Sequence, residues 1–403
     1  MNRQNSFTIV GAGASGLMAS ILLARDGHKI LLLEQNSKVA KKILASGNGK
    51  CNITNIDITP QHYHSSNPTF IKEVLDGYGV DKIREVFSSL GLILVEGSDG
   101  KLFPMSMQSG SVVDILLYEV ERLRVEILYE CRVDSVVKEN SFIIDTTKGK
   151  FSSTHLLLCT GSMASPKLGG SSSGLDIAKS LGHTIIPPLP SLVQLCSDEE
   201  WVKRVSGVKI DACVKLYTNS QYTTQKRGDV LFTNYGISGL AILDISRGVS
   251  IALSNYAYCD LQIDILPDFT KEQLIRLLQN YIDIDRPIDI WLQGILNKKL
   301  IPIIISQSKT KAKTTKELNK KELIKLSYAI KNIKLSISKT RGFESAEVAI
   351  GGVDTTEVDP QTMESKIIKN LYFAGEVLDV DGDRGGFNFH FAWVSALRAI
   401  QKQ

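Results

Sequence analysis

Six residues, GAGASG at 11–16, constrain the fold of this chain more than any others. They follow the apolar run FTIVG (7–11) and open SGLMASILLARD (15–26), whose apolar residues recur at helical spacing. A second apolar run, HKILLLE (28–34), comes next. Strand, glycine turn, helix and strand make a βαβ unit. In that context the GxGxxG spacing is a dinucleotide fingerprint. Gly11 permits the tight turn, Gly13 lets backbone approach a pyrophosphate, and Gly16 lets helix and strand pack closely. Ala14 and Ser15 begin a helix whose N-terminus favours negative charge. Glu34, 18 residues beyond Gly16, ends the second strand. There it would accept hydrogen bonds from adenosine ribose hydroxyls and repel a 2′-phosphate.

FAD and NAD both use this motif, and the far end of the chain separates them. LYFAGEVLDVDGDRGGFNFHFAWVSALRAI (371–400) has the order strand, Gly375-Glu376, Gly385-Gly386, helix from about Asn388. That order suits a helix N-terminus aimed at the N1–C2 carbonyl edge of a reduced flavin. Thr160-Gly161, in CTG after the strand THLLLCTG (154–161), resembles a second glycine contact to the dinucleotide. No second GxGxxG occurs. The cofactor expected is FAD, with no separate NAD(P)H domain.

At 403 residues, with 43% hydrophobic and 22% charged content, the chain is expected to be soluble and to form two or three domains. No apolar run reaches the ~20 residues a membrane span needs. Glycines 11, 13 and 16 and the pair Arg25-Asp26 argue against a signal peptide. Six cysteines without CxxC spacing fit reduced thiols in cytoplasm. His62 and His64 form an isolated HxH, read as loop chemistry with no metal site expected. The net charge of +4 is uneven. Residues 298–341 hold twelve lysines and Arg341 against Glu317 and Glu322, a balance of +11, leaving −7 elsewhere. A solvated helical face is the simpler account, and a phosphate footprint the sharper one.

Further helices are expected over 69–90 and 112–125, with strands within 127–146. Short strands and turns fill 190–266, and TKEQLIRLLQNYI (270–282) reads as a helix with Thr270 as N-cap. Lysine-rich helical sequence follows to about 332, then strands return. The fold class expected is α/β. It comprises a Rossmann-like FAD domain of two-dinucleotide-binding type, split over 1–188 and 345–403. A β-rich middle domain (189–268 and 333–344) and a small helical cap (269–332) are inserted into it.

Together the motifs resemble the YhiN/BaiN-type flavoproteins, bacterial FAD-dependent oxidoreductases also described as aminoacetone-oxidase-like. The likeness runs along nearly the whole chain. It is carried by GAGASGLMAS, KKILASGNGKCNITN, GKLFPMSMQS, CTGSMASPKLGGSSSGLDIAKSLGHTI and PSLVQL. GDVLFTNYGISGLAILDIS, AIGGVDTTEVDPQTMESK and LYFAGEVLDVDGDRGGFNF continue it. The resemblance implies that Gly11, Gly13, Gly16 and Glu34 hold the ADP part. It places Lys42, Ser46, Gly47, Asn48, Gly49, Cys51 and Asn52 in a flavin-proximal loop. Gly375, Glu376, Asp381, Gly385, Gly386 and Asn388 match the family's C-terminal flavin motif. The sequence departs from the family pattern at Lys50 (commonly arginine), Asn234 (histidine), Leu240 (proline), Ser173 (aspartate) and Leu175 (tyrosine). These changes bear on substrate or reductant recognition rather than on FAD.

The family's chemistry implies hydride transfer from reduced flavin N5 to the β-carbon of a polarised C=C–C=O, with an acid protonating the α-carbon. The leading expectation is an NAD(P)H-supplied reductase, with NADH or NADPH as reductant, that forms dihydrouridine in large-subunit ribosomal RNA. The 298–341 region would then meet RNA phosphate. Alternatives are reduction of a small enone or enoate, oxidation of a small amine or hydroxy acid, and a ribosome-associated protein that holds FAD without catalysis. Cys51 is a candidate acid, with Lys50 or Lys42 binding carbonyl or phosphate. The competing reading of Cys51 is a small side chain packed beside the ring.

Overall fold

The computed structural model of the chain describes residues 4–280, 282 and 285–400. Tyr281, part of the expected 270–282 helix, lies outside them. Two compact units account for the chain, Met1–Leu189 with Glu347–Gln403, and Pro190–Ala346.

The first unit is built on a seven-stranded sheet. Its order is Glu126–Leu128, Ile30–Leu33, Gln4–Val10, Gly149–Leu158, Phe142–Thr146, Val133–Lys138, with Leu371–Phe373 also paired to Gly149–Leu158. Ile30–Leu33 is buried throughout, as the unbroken apolar run requires of a parallel strand covered on both faces. The parallel register sets the chemistry. Val10 lies level with Leu33 and Leu158, and Leu158 with Phe373. Gly11, Glu34, Cys159-Thr160 and Ala374-Gly375 therefore leave the sheet together at its carboxyl edge, where open α/β sheets bind ligands.

Helix Ala14–Arg25 packs against the closing helix Phe387–Arg398 and against Ser109–Arg122. The helix expected over 69–90 is instead two, Pro68–Leu75 and Val80–Ser89. Gly77 turns left-handed between them (φ 74°), and the Tyr78 N–H closes onto the Leu75 carbonyl. A small antiparallel sheet joins Thr54–Asn55, Lys101–Pro104 and Leu94–Glu96.

The second unit centres on another seven-stranded sheet, antiparallel in its pairings. Its longest strands, Lys209–Thr218 and Gln221–Phe232, form a hairpin. The reading of 190–266 as short strands and turns needs a correction. Leu240–Ser254 is a 15-residue helix. Its sequence is apolar with glycine and serine and lacks the charged stripe that marks an exposed helix, because seven of its positions are buried. Gly239 (φ 102°) fixes its start, for a Cβ there would lie 2.3 Å from the Asp229 carbonyl oxygen. Lys271–Gln279 has the Thr270 cap and a full capping box with Gln273. Helices Lys271–Gln279, Ile288–Leu292, Ile301–Ser308 and Lys320–Lys331 share one apolar core with the sheet through Leu274, Trp291, Ile304 and Leu326. Among the described residues, no helix is long and apolar enough to cross a membrane.

Candidate flavin site

The fingerprint glycines divide into two kinds. A Cβ on Gly11 (φ 100°) would lie 2.4 Å from the Cys159 carbonyl oxygen, and one on Gly16 would lie 1.9 Å from the Gly11 carbonyl oxygen. The fold itself needs those two. Gly13 has extended backbone and no heavy atom within 4 Å of an added Cβ. Open space lies over it, as an approaching pyrophosphate needs. Gly13 caps helix Ala14–Arg25 without any side-chain hydrogen bond, and the first turn has no acidic residue. Its N–H groups are thus available to an anion. Ser15 hydroxyl donates to the Ala374 carbonyl at 3.3 Å, tying this helix to the C-terminal motif.

Glu34 is buried and held from both sides. One oxygen accepts from the Ala12 N–H at 2.9 Å, the other from the Asn36 N–H at 2.8 Å and its side-chain amide at 2.7 Å. Asn36, absent from the sequence expectations, thereby fixes the carboxylate. Across the strand end, Gly161 (φ 70°) also has open space around a notional Cβ. The Thr160 hydroxyl beside it is buried with no partner. Gly174 makes room for it, since a Cβ there would fall 1.8 Å from the hydroxyl oxygen.

The SGNGKCN loop is bent by left-handed backbone at Gly47 (57°), Asn48 (54°), Gly49 (82°) and Cys51 (59°). Asparagine tolerates that region and a cysteine rarely adopts it. The Cys51 N–H bonded to the Ser46 carbonyl at 3.2 Å holds the turn, and the Ser46 hydroxyl donates to the Ile43 carbonyl. Gly47, Asn48, Gly49 and Lys50 are exposed. Cys51 points the other way, fully buried in the apolar core. Burial pushes its thiol up to about 12, against a smaller downward pull from a Ser46 hydrogen bond. A proton donor must face its substrate, and this side chain has no open face. Cys51→Ala is therefore expected to keep its FAD and to turn over within about threefold of wild type, where loss of a general acid costs about 10²–10⁴-fold. Steady-state kinetics of the FAD-loaded variant checks this.

Lys42 departs from the role expected of it. Its ammonium pairs with Glu376 at 2.7 Å, and the second Glu376 oxygen accepts from the Ala349 N–H at 3.0 Å. Carbonyl or phosphate binding would have to break that pair. Asn52 Oδ1 is buried without a partner, beside Gly386.

The C-terminal motif folds around its glycines. A Cβ on Gly375 (φ 77°) would lie 2.8 Å from the Ser15 hydroxyl, and the Gly375 N–H donates to Ser395 at 2.9 Å. Asp381 is buried in a two-residue strand paired with Tyr63–His64. Asn388 uses its side-chain amide on the N–H and carbonyl of Gly382, both at 2.8 Å, so it shapes this turn. Gly385 (φ 136°) and Gly386 (φ 102°) lead into helix Phe387–Arg398, which has no side-chain cap and no acid in its first turn. Its bare N-terminus can meet a partly anionic ring edge.

Four contacts missing from the sequence reading hold this helix and the turn before it, three to the 51–55 segment and one to Tyr78. Asn55 amide donates to the Gly385 carbonyl at 2.9 Å, and Trp393 Nε1 donates to the Ile53 carbonyl at 3.0 Å. His390 Nε2 lies 2.9 Å from the Tyr78 carbonyl, and Nδ1 lies 2.8 Å from the Thr54 hydroxyl. A carbonyl only accepts, so Nε2 carries the proton and Thr54 donates to Nδ1. Burial pushes His390 down to about 4. As pH falls, the unfolded chain takes up this proton first. Stability is thus full above the unfolded value of 6.5 and declines toward about 4, by up to about 3 kcal/mol. His155 and His183, also lowered mainly by burial, add in the same direction. Urea midpoints that fall between neutral pH and pH about 5, with a shallower fall in His390→Gln, would agree with this.

The edge thus brings together an open anion-binding helix start, a held carboxylate, an exposed glycine loop and a second open helix start. Orphaned Thr160 and Asn52 oxygens lie beside it. These residues fit FAD.

The family described as HI0933-like protein Rossmann domain matches residues 5–402. The chain is 36% identical over 401 residues to the 3-dehydro-bile acid delta(4,6)-reductase of Clostridium scindens, covering 98% of each chain. It is 31% identical over 403 residues to the ribosomal RNA dihydrouridine synthase of Haemophilus influenzae, again covering 98% of each. The fold is similar to that of 3-ketosteroid-delta4-(5alpha)-dehydrogenase from Rhodococcus jostii RHA1, with TM-score 0.51 and 14% identity over 99% of this chain and 97% of that one. This chain belongs to the HI0933-like family and is an FAD-dependent oxidoreductase.

Proposed function

We propose that this flavoprotein is an NAD(P)H-supplied reductase of a C=C bond conjugated to a carbonyl. The observation that carries the reading is the pairing of the assembled carboxyl-edge site with full-length likeness to two reductive enzymes. A polarised C=C–C=O is common to an unsaturated 3-keto steroid and to uracil. FAD, once reduced, supplies the hydride to such a bond. The chain's own part is to hold and polarise. Glu34 and the Gly13 helix start take the ADP part, with Gly161 opening space beside it. The Phe387–Arg398 helix start stabilises charge at the ring edge. The exposed loop 47–50 leaves one approach open to substrate, with Lys50 as a cation for its carbonyl.

A second reading, uridine in ribosomal RNA as substrate, is favoured by the lysine-rich segment. Lys298, Lys309, Lys311, Lys313, Lys320 and Lys321 are exposed, whereas Lys316, Lys325 and Lys331 pair with Asp285, Glu322 and Asp264. Shape and charge can suffice to recognise large folded RNA. One experiment separates the readings. Holoenzyme with NADH or NADPH is given a steroid-type enone in one arm and ribosomal RNA lacking dihydrouridine in another. Mass spectrometry then looks for the gain of two hydrogens. Gain in the enone arm supports the first reading and gain in the RNA arm the second. Gain in neither sinks both.

A further inference from the structure

The sequence GKLFPMSMQSG contributes an apolar surface that the site described above does not use. Lys101–Pro104 and Leu94–Glu96 form an antiparallel ribbon, with Leu94 opposite Pro104 and Val95 opposite Phe103. The Met105 N–H continues the pairing onto the Ile93 carbonyl at 2.8 Å. Alternation puts Ile93, Val95, Phe103 and Met105 on one face and Leu94, Leu102 and Pro104 on the other. A half-buried ribbon should be polar on its outer face. Here Leu102 and Pro104 are buried, yet the opposite face is apolar, with Val95 and Phe103 half-buried and Ile93 61% and Met105 63% exposed. Met107 at 41% and Leu44 at 40% are likewise open, and the Ser109 hydroxyl bonded to the Leu44 carbonyl brings their segments together.

This face runs up to the flavin loop. The Phe103 ring lies against Gly97 and Gly47, where added Cβ atoms would fall 2.9 Å and 3.4 Å from it. Beyond Gly47 stands the exposed Lys50. At the other end, Lys101 is paired with Asp99 at 2.7 Å. The face between carries no charge, so a polyanion gains nothing there. It comprises about six side chains, well short of the roughly 20–30 residues a side of a stable protein interface. One face of an apolar ring system is about this size, and polarizable methionines adapt to such shapes.

We propose that the Ile93–Phe103–Met105 face is the substrate platform. It docks the apolar body of a small ring-containing ketone, with the carbonyl end toward Lys50 and the flavin loop. The proposal rests on the C=C reductase reading for the reacting group, though not for docking itself. Androstane-3,17-dione, which has no C=C bond to reduce, serves as the probe for the FAD-loaded enzyme. The expected result is a saturable perturbation of the flavin absorbance spectrum. Its Kd should rise at least about tenfold, roughly 1.4 kcal/mol, in Ile93→Glu and Met105→Glu, with FAD content unchanged. Uridine monophosphate should give no variant-dependent change. No perturbation, or an equal Kd in the variants, overturns the proposal. So does a wild-type dimer that the variants convert to monomer, since the face would then belong to a second copy. Because the probe has no C=C bond to reduce and its binding is read on oxidised flavin, as a band shift distinct from bleaching, failure to reduce any enone would sink the reductase reading while leaving this binding result intact.

Discussion

Gly13→Ala is expected to leave the melting temperature unchanged while the purified protein loses most of its FAD. The two effects separate because of where the Cβ goes. Gly13 has backbone angles that alanine adopts freely, and nothing of the protein lies within 4 Å of the added methyl. Folding free energy should therefore move by no more than about 0.5 kcal/mol. The methyl enters the space a pyrophosphate must occupy, and weakening of about a hundredfold or more follows, near 3 kcal/mol. Gly16→Ala is the contrasting control. Its methyl would fall 1.9 Å from the Gly11 carbonyl oxygen, so helix and strand must part and stability must drop. Calorimetry with FAD titration reads both quantities. Loss of stability in Gly13→Ala, or retention of normal FAD affinity, would contradict the assignment of this edge.

The second large effect is expected at Gly386→Ala. A left-handed residue other than glycine costs about 1–2 kcal/mol. Here the methyl would also lie 2.6 Å from the Thr54 carbonyl oxygen, a backbone atom that cannot swing aside. Relief requires moving the 51–55 segment off the closing helix, which breaks the Asn55–Gly385 and Thr54–His390 bonds. Destabilisation of about 3 kcal/mol or more should therefore accompany loss of FAD. The signature is joint failure of fold and cofactor, opposite to Gly13→Ala. A Gly386→Ala protein that melts normally would show the loop and helix are not coupled as described.

Much of this was legible in the sequence because it rests on local rules. GxGxxG between apolar runs, an acid after the second strand and a glycine-rich turn before a closing helix each have a period or a spacing. The boundaries of the Ala14–Arg25 and Phe387–Arg398 helices follow to within a residue or two. What escaped depends on distant partners. Leu240–Ser254 hides its helical period because it is buried, so its pattern merges with that of strands. The 69–90 stretch kept its apolar spacing across Gly77, which concealed the break. Asn55 and His390 bear on the site only through contacts the fold creates, more than 300 positions apart in sequence. Cys51 is the reverse case, with a candidate acid and a packed side chain both left open by the sequence. Its place in the loop was readable, but the direction of its side chain was set by a left-handed backbone that spacing does not reveal.

The central claim is that this chain uses FAD to reduce a carbonyl-conjugated C=C bond. Its most direct test is anaerobic. The FAD-loaded protein is reduced with NADH, NADPH or, failing both, dithionite, freed of excess reductant, and mixed with a steroid-type enone. The account predicts that oxidised-flavin absorbance returns stoichiometrically and that the enone gains two hydrogens by mass spectrometry. Flavin that stays reduced through both enone and ribosomal RNA additions, yet reoxidises at once in air, would contradict it.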